Sequence, residues 1–150
     1  MRAIIQRVSQ ASVEIEGHTV SKINRGLLIL LGIESSDDET DLQWLVKKLG
    51  DLRIFSDQDG KMNLSIKDIS GSALVVSQFT LHAKTKKGTR PSFIHAAHPS
   101  HAEPLYNQFI KTFSEVNQLE TLGGRFGADM NVVLINDGPV TIFIDTKNKE

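Results

Sequence analysis

The stretch VSQFTL, residues 76 to 81, places a glutamine and a threonine where their side chains could act together. Along an extended strand alternate side chains share a face, so Gln78 and Thr80 look one way while Ser77, Phe79 and Leu81 look the other. A threonine at a strand end can be a nucleophile or position one, and freed amides at Phe79 and Thr80 can stabilise an oxyanion. A purely structural reading stands beside this one: a buried strand carries Thr for its branched fit and Gln for a hydrogen bond. No base for Thr80 is evident. His82 follows on the same face, yet it opens a polar loop and can as well point to solvent.

That loop, HAKTKKGTRPSF, sets Lys84, Lys86, Lys87 and Arg90 around a flexible Gly88. A charge run of this kind is commonly a solvated surface. Beside a candidate catalytic strand it also suits a few phosphates at a nucleic-acid terminus. The formal net charge of −1 gives no global attraction to a long polyanion, so any RNA contact must be local and end-directed. His95, His98 and His101 recur every three residues, but Pro99 interrupts them and no carboxylate or cysteine completes a ligand set. They read as solvated loop histidines, and neither a metal nor a cofactor is expected.

Several chemistries are excluded outright. With no cysteine there is no thiol nucleophile, thiolate metal site or disulfide, which fits a reducing compartment. There is no G-x-S-x-G elbow, Walker loop or H-E-x-x-H, and GGRFG at 123 to 127 lacks the βαβ surroundings of a dinucleotide site. The longest apolar run, Leu27 to Leu31, is far too short to span a membrane, and MRAIIQRVSQ does not resemble a signal peptide. A cytoplasmic protein without a membrane partner is expected.

These residues need a scaffold, and a chain of 150 residues fits one domain with one core. Residues 2 to 8 and 11 to 16 alternate as strands, a turn at Glu16 to His18 leads to a strand over 18 to 23, and GLLILLGI at 26 to 33 reads as a strand buried on both faces. Ser36 with Glu39 forms a capping-box pattern for a helix whose stripe is Leu42, Leu45, Val46 and Leu49. SDQDGK is a turn, 72 to 81 a further strand, 82 to 99 a polar loop. A second helix is expected over 100 to 118, boxed by Ser100 and Glu103, with Leu105, Phe109, Phe113 and Val116 as its stripe. The end returns to strands: Val132 to Ile135 and Val140 to Ile144 look like two arms of a hairpin. Pro139 spoils its turn, because the amide that should bond to the Asn136 carbonyl is missing. Runs of strands with two helices argue for an α+β fold, a mainly antiparallel, barrel-like sheet with two principal helices on one side.

Six segments in order, QRV near the start, LRIF…DGKMNLS (52 to 65), SQFTL, TKKGTRPSF, GRFGADM (124 to 130) and NDGPVT (136 to 141), resemble the D-aminoacyl-tRNA deacylase family. The resemblance runs from about residue 1 to 146. His82 and Lys84 depart from it, standing where an aromatic and an acidic residue are expected, and HAAHPSH is this chain's own.

The resemblance implies a homodimeric α+β barrel that hydrolyses the ester joining a D-amino acid to the 3′-terminal ribose of tRNA, and also removes glycine from mischarged glycyl-tRNA. It implies that Gly138 and Pro139 form a Gly-cisPro pair entering the partner's active site, its main-chain carbonyls rejecting L-side chains by steric exclusion. It places Gln78, Phe79 and Thr80 in the site, with the Phe79 amide toward the substrate carbonyl. Arg7 resembles a brace for the Gly-Pro loop; Phe126 and Met130 resemble pocket or loop-supporting residues, with ordinary core packing as the other reading. Lys84, Lys86, Lys87 and Arg90 would meet the RNA. The missing base favours water attack assisted by the terminal 2′-hydroxyl over a Thr80 nucleophile. Two other functions stay open: a non-catalytic RNA-end binding domain and a small-ester hydrolase using Thr80.

Overall fold

Strand β1 (Arg2–Ile15) organises the molecule, because both of its edges are paired along almost its whole length. The computed structural model describes residues 1–149. On one edge β2 (His18–Ile23) and β3 (Gly26–Gly32) follow one another antiparallel to β1, from Ile15↔His18 to Arg2↔Gly32. On the other edge lies β8 (Asn131–Asp145), also antiparallel. The segments expected as separate strands at 2 to 8 and 11 to 16 are therefore one strand. The break in their alternation marks a change of core: Ala3 and Ile5 pack under the helices, while Val8, Ala11, Val13 and Ile15 pack inside the curl of the sheet.

Beyond β3 come β6 (Ser72–Ser77) and β7 (Thr121–Gly123), each added in parallel. The antiparallel pairings dominate, and the sheet bends into a nearly closed barrel. A two-strand ribbon, β4 (Phe55–Ser56) with β5 (Met62–Leu64), carries the turn expected at SDQDGK. β3 and β6 are apolar on both faces because each side meets a core. Leu27, Ile29, Leu31, Ala73 and Val75 face the helices; Leu28, Leu74 and Val76 face the barrel interior.

The helices α1 (Glu39–Asp51) and α2 (Pro99–Asn117) lie together on one side. The stripe Leu42, Leu45, Val46 and Leu49 is buried as its spacing predicts. The cap is different: Asp38, not Ser36, accepts from Thr40 and Asp41, and the Asp41 side chain accepts in return from the Asp38 amide. In α2 the buried stripe is Ala102, Tyr106, Phe109, Phe113 and Asn117, with Leu105 at its margin and Val116 54 % exposed. The sequence reading favoured purely apolar residues, whereas Tyr106 is buried through its hydroxyl bond to the Val75 carbonyl (2.8 Å) and Asn117 through its bond to the Phe113 carbonyl (3.1 Å). His98 caps α2, its ring accepting from the Ser100 amide, so the Ser100/Glu103 box is not used. His101 is exposed on the first turn, where its Nε2 meets the Asp37 carbonyl.

The terminal hairpin does not form. Residues 131 to 145 run in one direction along β1, and the register jumps from Val8↔Asn136 to Gln6↔Thr141, leaving Asp137 to Val140 opposite Arg7 alone. The Gly-Pro pair sits in a bulge thrown out of a continuous strand, not at a chain reversal.

Candidate active site

β6 ends earlier than its sequence suggests. Gln78 donates its amide to the Leu31 carbonyl (2.8 Å), the last rung toward β3, and Phe79–His82 then coil into a 3-10 turn. The strand alternation that was to align Gln78 with Thr80 therefore stops at Ser77. The two side chains still meet, because the Gln78 amide donates to the Thr80 hydroxyl across the turn. Gly32 lets this turn sit directly on the end of β3: a Cβ there would come within 2.9 Å of the Gln78 carbonyl and 3.0 Å of Leu81 Cβ. Arg2 ties the turn down, donating to the Leu81 carbonyl (3.0 Å) and to Asp145 of β8 (2.9 Å). His82 faces inward, 2 % exposed, with its Nδ1 3.8 Å from a Glu34 carboxylate oxygen. It is a packing element under the turn and does not open into solvent.

Beside the turn lies a mainly apolar cavity of about 560 Å³, walled by Gln78, Phe79, Phe126 and Met130 among the expected residues. Phe126 and Met130 both pack against the core and line the cavity. The Phe126 ring packs 5.7 Å from that of Tyr106, and Met130 backs the inner core, while both present a side to the cavity. Burial pushes the Tyr106 hydroxyl up to about 12, an effect that the backbone of Gly124 offsets only in part, so it remains a neutral donor. Thr80 is exposed and stands outside the cavity wall. Ala96 and Ala97, from HAAHPSH, form part of the wall and were not anticipated. The signal was there: two small apolar residues in a polar loop leave space where larger ones would fill it.

Arg7, Gly138 and Pro139 lie apart from this cavity. Arg7, 8 % exposed, crosses beneath the bulge. It donates to the Asp137 carbonyl (3.1 Å) and the Ile54 carbonyl (2.7 Å), and its Nε is 3.1 Å from the Asp137 carboxylate. The Gly138–Pro139 bond is cis, and both residues are exposed. The bulge is closed by Asn136, whose side-chain oxygen accepts from the Val140 amide (3.2 Å). Lys84, Lys86, Lys87 and Arg90 are all exposed on the loop that follows the 3-10 turn. Among the described residues no group of His, Cys, Asp and Glu could hold a metal, and no helix is long and apolar enough to cross a membrane.

Fold and cavity together define the class: a small α+β barrel with an apolar chamber bordered by the Phe79 turn, from which an exposed cationic loop continues. The model of the D-Tyr-tRNA(Tyr) deacylase family matches residues 4–145. A D-aminoacyl-tRNA deacylase of Bacteroides fragilis is 59 % identical over 150 residues, all of both chains. Among solved structures, a c-Myc DNA unwinding element binding protein superposes with a TM-score of 0.91 at 40 % identity, over 97 % of this chain and 98 % of that one. A structure described as a "probable eukaryotic D-amino acid tRNA deacylase" gives 0.81 at 18 % identity, over 95 % and 97 %, a likeness of fold. The chain belongs to the D-Tyr-tRNA(Tyr) deacylase family and is an enzyme of the deacylase type.

Proposed function

We propose that this chain hydrolyses the ester between a D-amino acid and the 3′-terminal ribose of tRNA, releasing both, and that it clears glycine from mischarged glycyl-tRNA in the same way. The observation that carries this reading is the apolar chamber walled by Gln78 and Phe79, at the turn from which the exposed cationic loop continues. The chamber suits an aminoacyl group and the loop suits the terminal phosphates, with Lys84, Lys86, Lys87 and Arg90 as their partners. A substrate of translation puts the enzyme in the cytoplasm.

The first amides of a helical turn have no acceptor within it, so the Phe79 and Thr80 N–H groups are suited to the ester carbonyl and the oxyanion it becomes. Water attacks that carbonyl carbon, the bond to the ribose oxygen breaks, and the ribose oxygen takes the proton. Thr80 is a poor candidate for the attack because its hydroxyl is engaged by Gln78, a side-chain amide that cannot act as a base. The terminal 2′-hydroxyl is the better placed assistant. Gln78 then orients Thr80 and the ester, while Phe126 and Met130 shape the chamber.

Selectivity comes from a second copy of the chain. Val133, Ile135 and Phe143 are 50 %, 52 % and 57 % exposed on β8, whose outer edge pairs with no other strand among the described residues, and the Asp137–Val140 bulge springs from the same strand. A homodimer that covers this apolar face would carry Gly138 and Pro139 of one subunit over the chamber of the other. Their carbonyls would exclude an L-side chain and pass glycine or a D-side chain, with Arg7 holding the bulge from below.

Release of labelled D-tyrosine from D-tyrosyl-tRNA, beside L-tyrosyl-tRNA and a small D-tyrosine ester, tests the reading. Turnover of the first substrate alone is expected. Tight RNA binding with no turnover would favour a binding barrel, a reading that the exposed cationic loop also supports. Rapid turnover of the small ester that disappears in Thr80→Ala would favour a threonine hydrolase.

A further inference from the structure

Next to the chamber lies an apolar patch whose Phe93 and Ile94 the reaction described above does not use. Phe93 meets Phe79 edge to face, the ring centroids 5.1 Å apart at 73°. Phe79 is 56 % exposed, and Ile94, at 77 %, is the most exposed of the large apolar side chains among the described residues. Their position is fixed from both ends. Lys84 and Ser92 exchange backbone hydrogen bonds of 2.8 and 3.0 Å, which clips the cationic loop shut immediately before Phe93. Ala96 then donates its amide to the Phe93 carbonyl (3.0 Å), leading the segment into the cavity wall.

The patch therefore lies between the loop cations and the chamber. Exposed apolar surface of this kind marks a binding site. A partner that uses both of its neighbours must present a flat apolar face and carry negative charge beside it, which is the chemistry of an unpaired nucleotide.

We infer that Phe93 and Ile94 form a stacking platform for the unpaired nucleotide preceding the esterified one, whose phosphate is held by the loop cations. The inference rests on the deacylase reading and extends it from the terminal nucleoside to the RNA behind it. Stacking on a π-face accepts any base, so the platform adds affinity for an RNA end without reading its sequence. It contributes nothing to an isolated aminoacyl nucleoside.

The test compares D-tyrosyl-tRNA with 3′-D-tyrosyl-adenosine, which lacks the preceding nucleotide, in Phe93→Leu and Ile94→Ser. Phe93→Leu keeps an apolar side chain against Phe79 while removing the aromatic face. The variants should lose about tenfold in kcat/KM on the tRNA, chiefly through KM, and nothing on the adenosine ester. Their salt dependence should match that of the unsubstituted enzyme, whereas Lys86→Ala should flatten it. Equal losses on both substrates, no loss on the tRNA, or a changed oligomeric state in sedimentation would each overturn the platform, the last in favour of a subunit contact. Turnover of neither substrate by the unsubstituted chain would instead strike the deacylase reading, and the platform with it.

Discussion

Asn136 replaces a bond that the backbone has lost. Pro139 has no N–H to close a turn, so the Asn136 side chain accepts from Val140 one residue further on, and its amide donates to the Thr141 hydroxyl (2.9 Å). Gly138 is held just as tightly: its φ is +125°, and a Cβ would lie 2.8 Å from an Arg7 nitrogen. Gly138→Ala should cost at least about 1 kcal/mol in urea denaturation, since alanine resists that backbone region, and should lower deacylation further by displacing Arg7. At the turn, Thr80→Ala should keep most of the activity while a 2′-deoxy terminal adenosine loses it, as measured by single-turnover release. The reverse pattern would restore Thr80 as the nucleophile. Tyr106→Phe should destabilise the fold by about 1 kcal/mol in the same denaturation assay, because the Val75 carbonyl loses its only side-chain donor among the described residues.

At the scale of elements, the sequence was readable wherever one residue type and one period decided the outcome. GLLILLGI is buried on both faces, and the α1 stripe is buried as spaced. It misled where a polar side chain took a structural role: Asp38 displaced Ser36 as a cap, His98 capped α2, and Tyr106 entered the buried stripe. It misled again where pairing partners decide direction, since two apolar arms around a Gly-Pro are alike in a hairpin and in one strand with a bulge. Of the candidate site, the residue types at 78, 79, 126 and 130 could be singled out in advance, but the end of β6 at Ser77 depends on Gly32, a contact distant in sequence. The start of α1 carries a pH signature. Burial pushes the Asp41 carboxyl up, but bonds from Lys147 (2.6 Å), Thr146 (2.7 Å) and the Asp38 amide outweigh it and hold the group at about 2 instead of 3.8. The folded value lies below the unfolded one, so this stabilisation is complete above about pH 4 and is lost as pH falls through the folded value. Asp41→Asn should therefore be less stable than the unsubstituted protein at neutral pH, with the difference shrinking toward pH 2 in acid denaturation.

For the whole molecule, the chamber and the bulge are separate features of one chain, and the proposed selectivity requires them to meet between chains. The exposed apolar residues of β8 suit such a contact, because covering Val133, Ile135 and Phe143 removes from water surface that a monomer leaves in contact with it. Subunit mixing measures this most directly. Ala96→Trp fills the chamber and Gly138→Ala disturbs the bulge, so each protein alone should deacylate D-tyrosyl-tRNA poorly. After co-refolding in equal amounts, half the dimers are mixed and each mixed dimer has one site with an intact chamber facing an intact bulge, so about a quarter of the full activity should return. A mixture no more active than its components, with each variant folded and dimeric, would contradict the shared site.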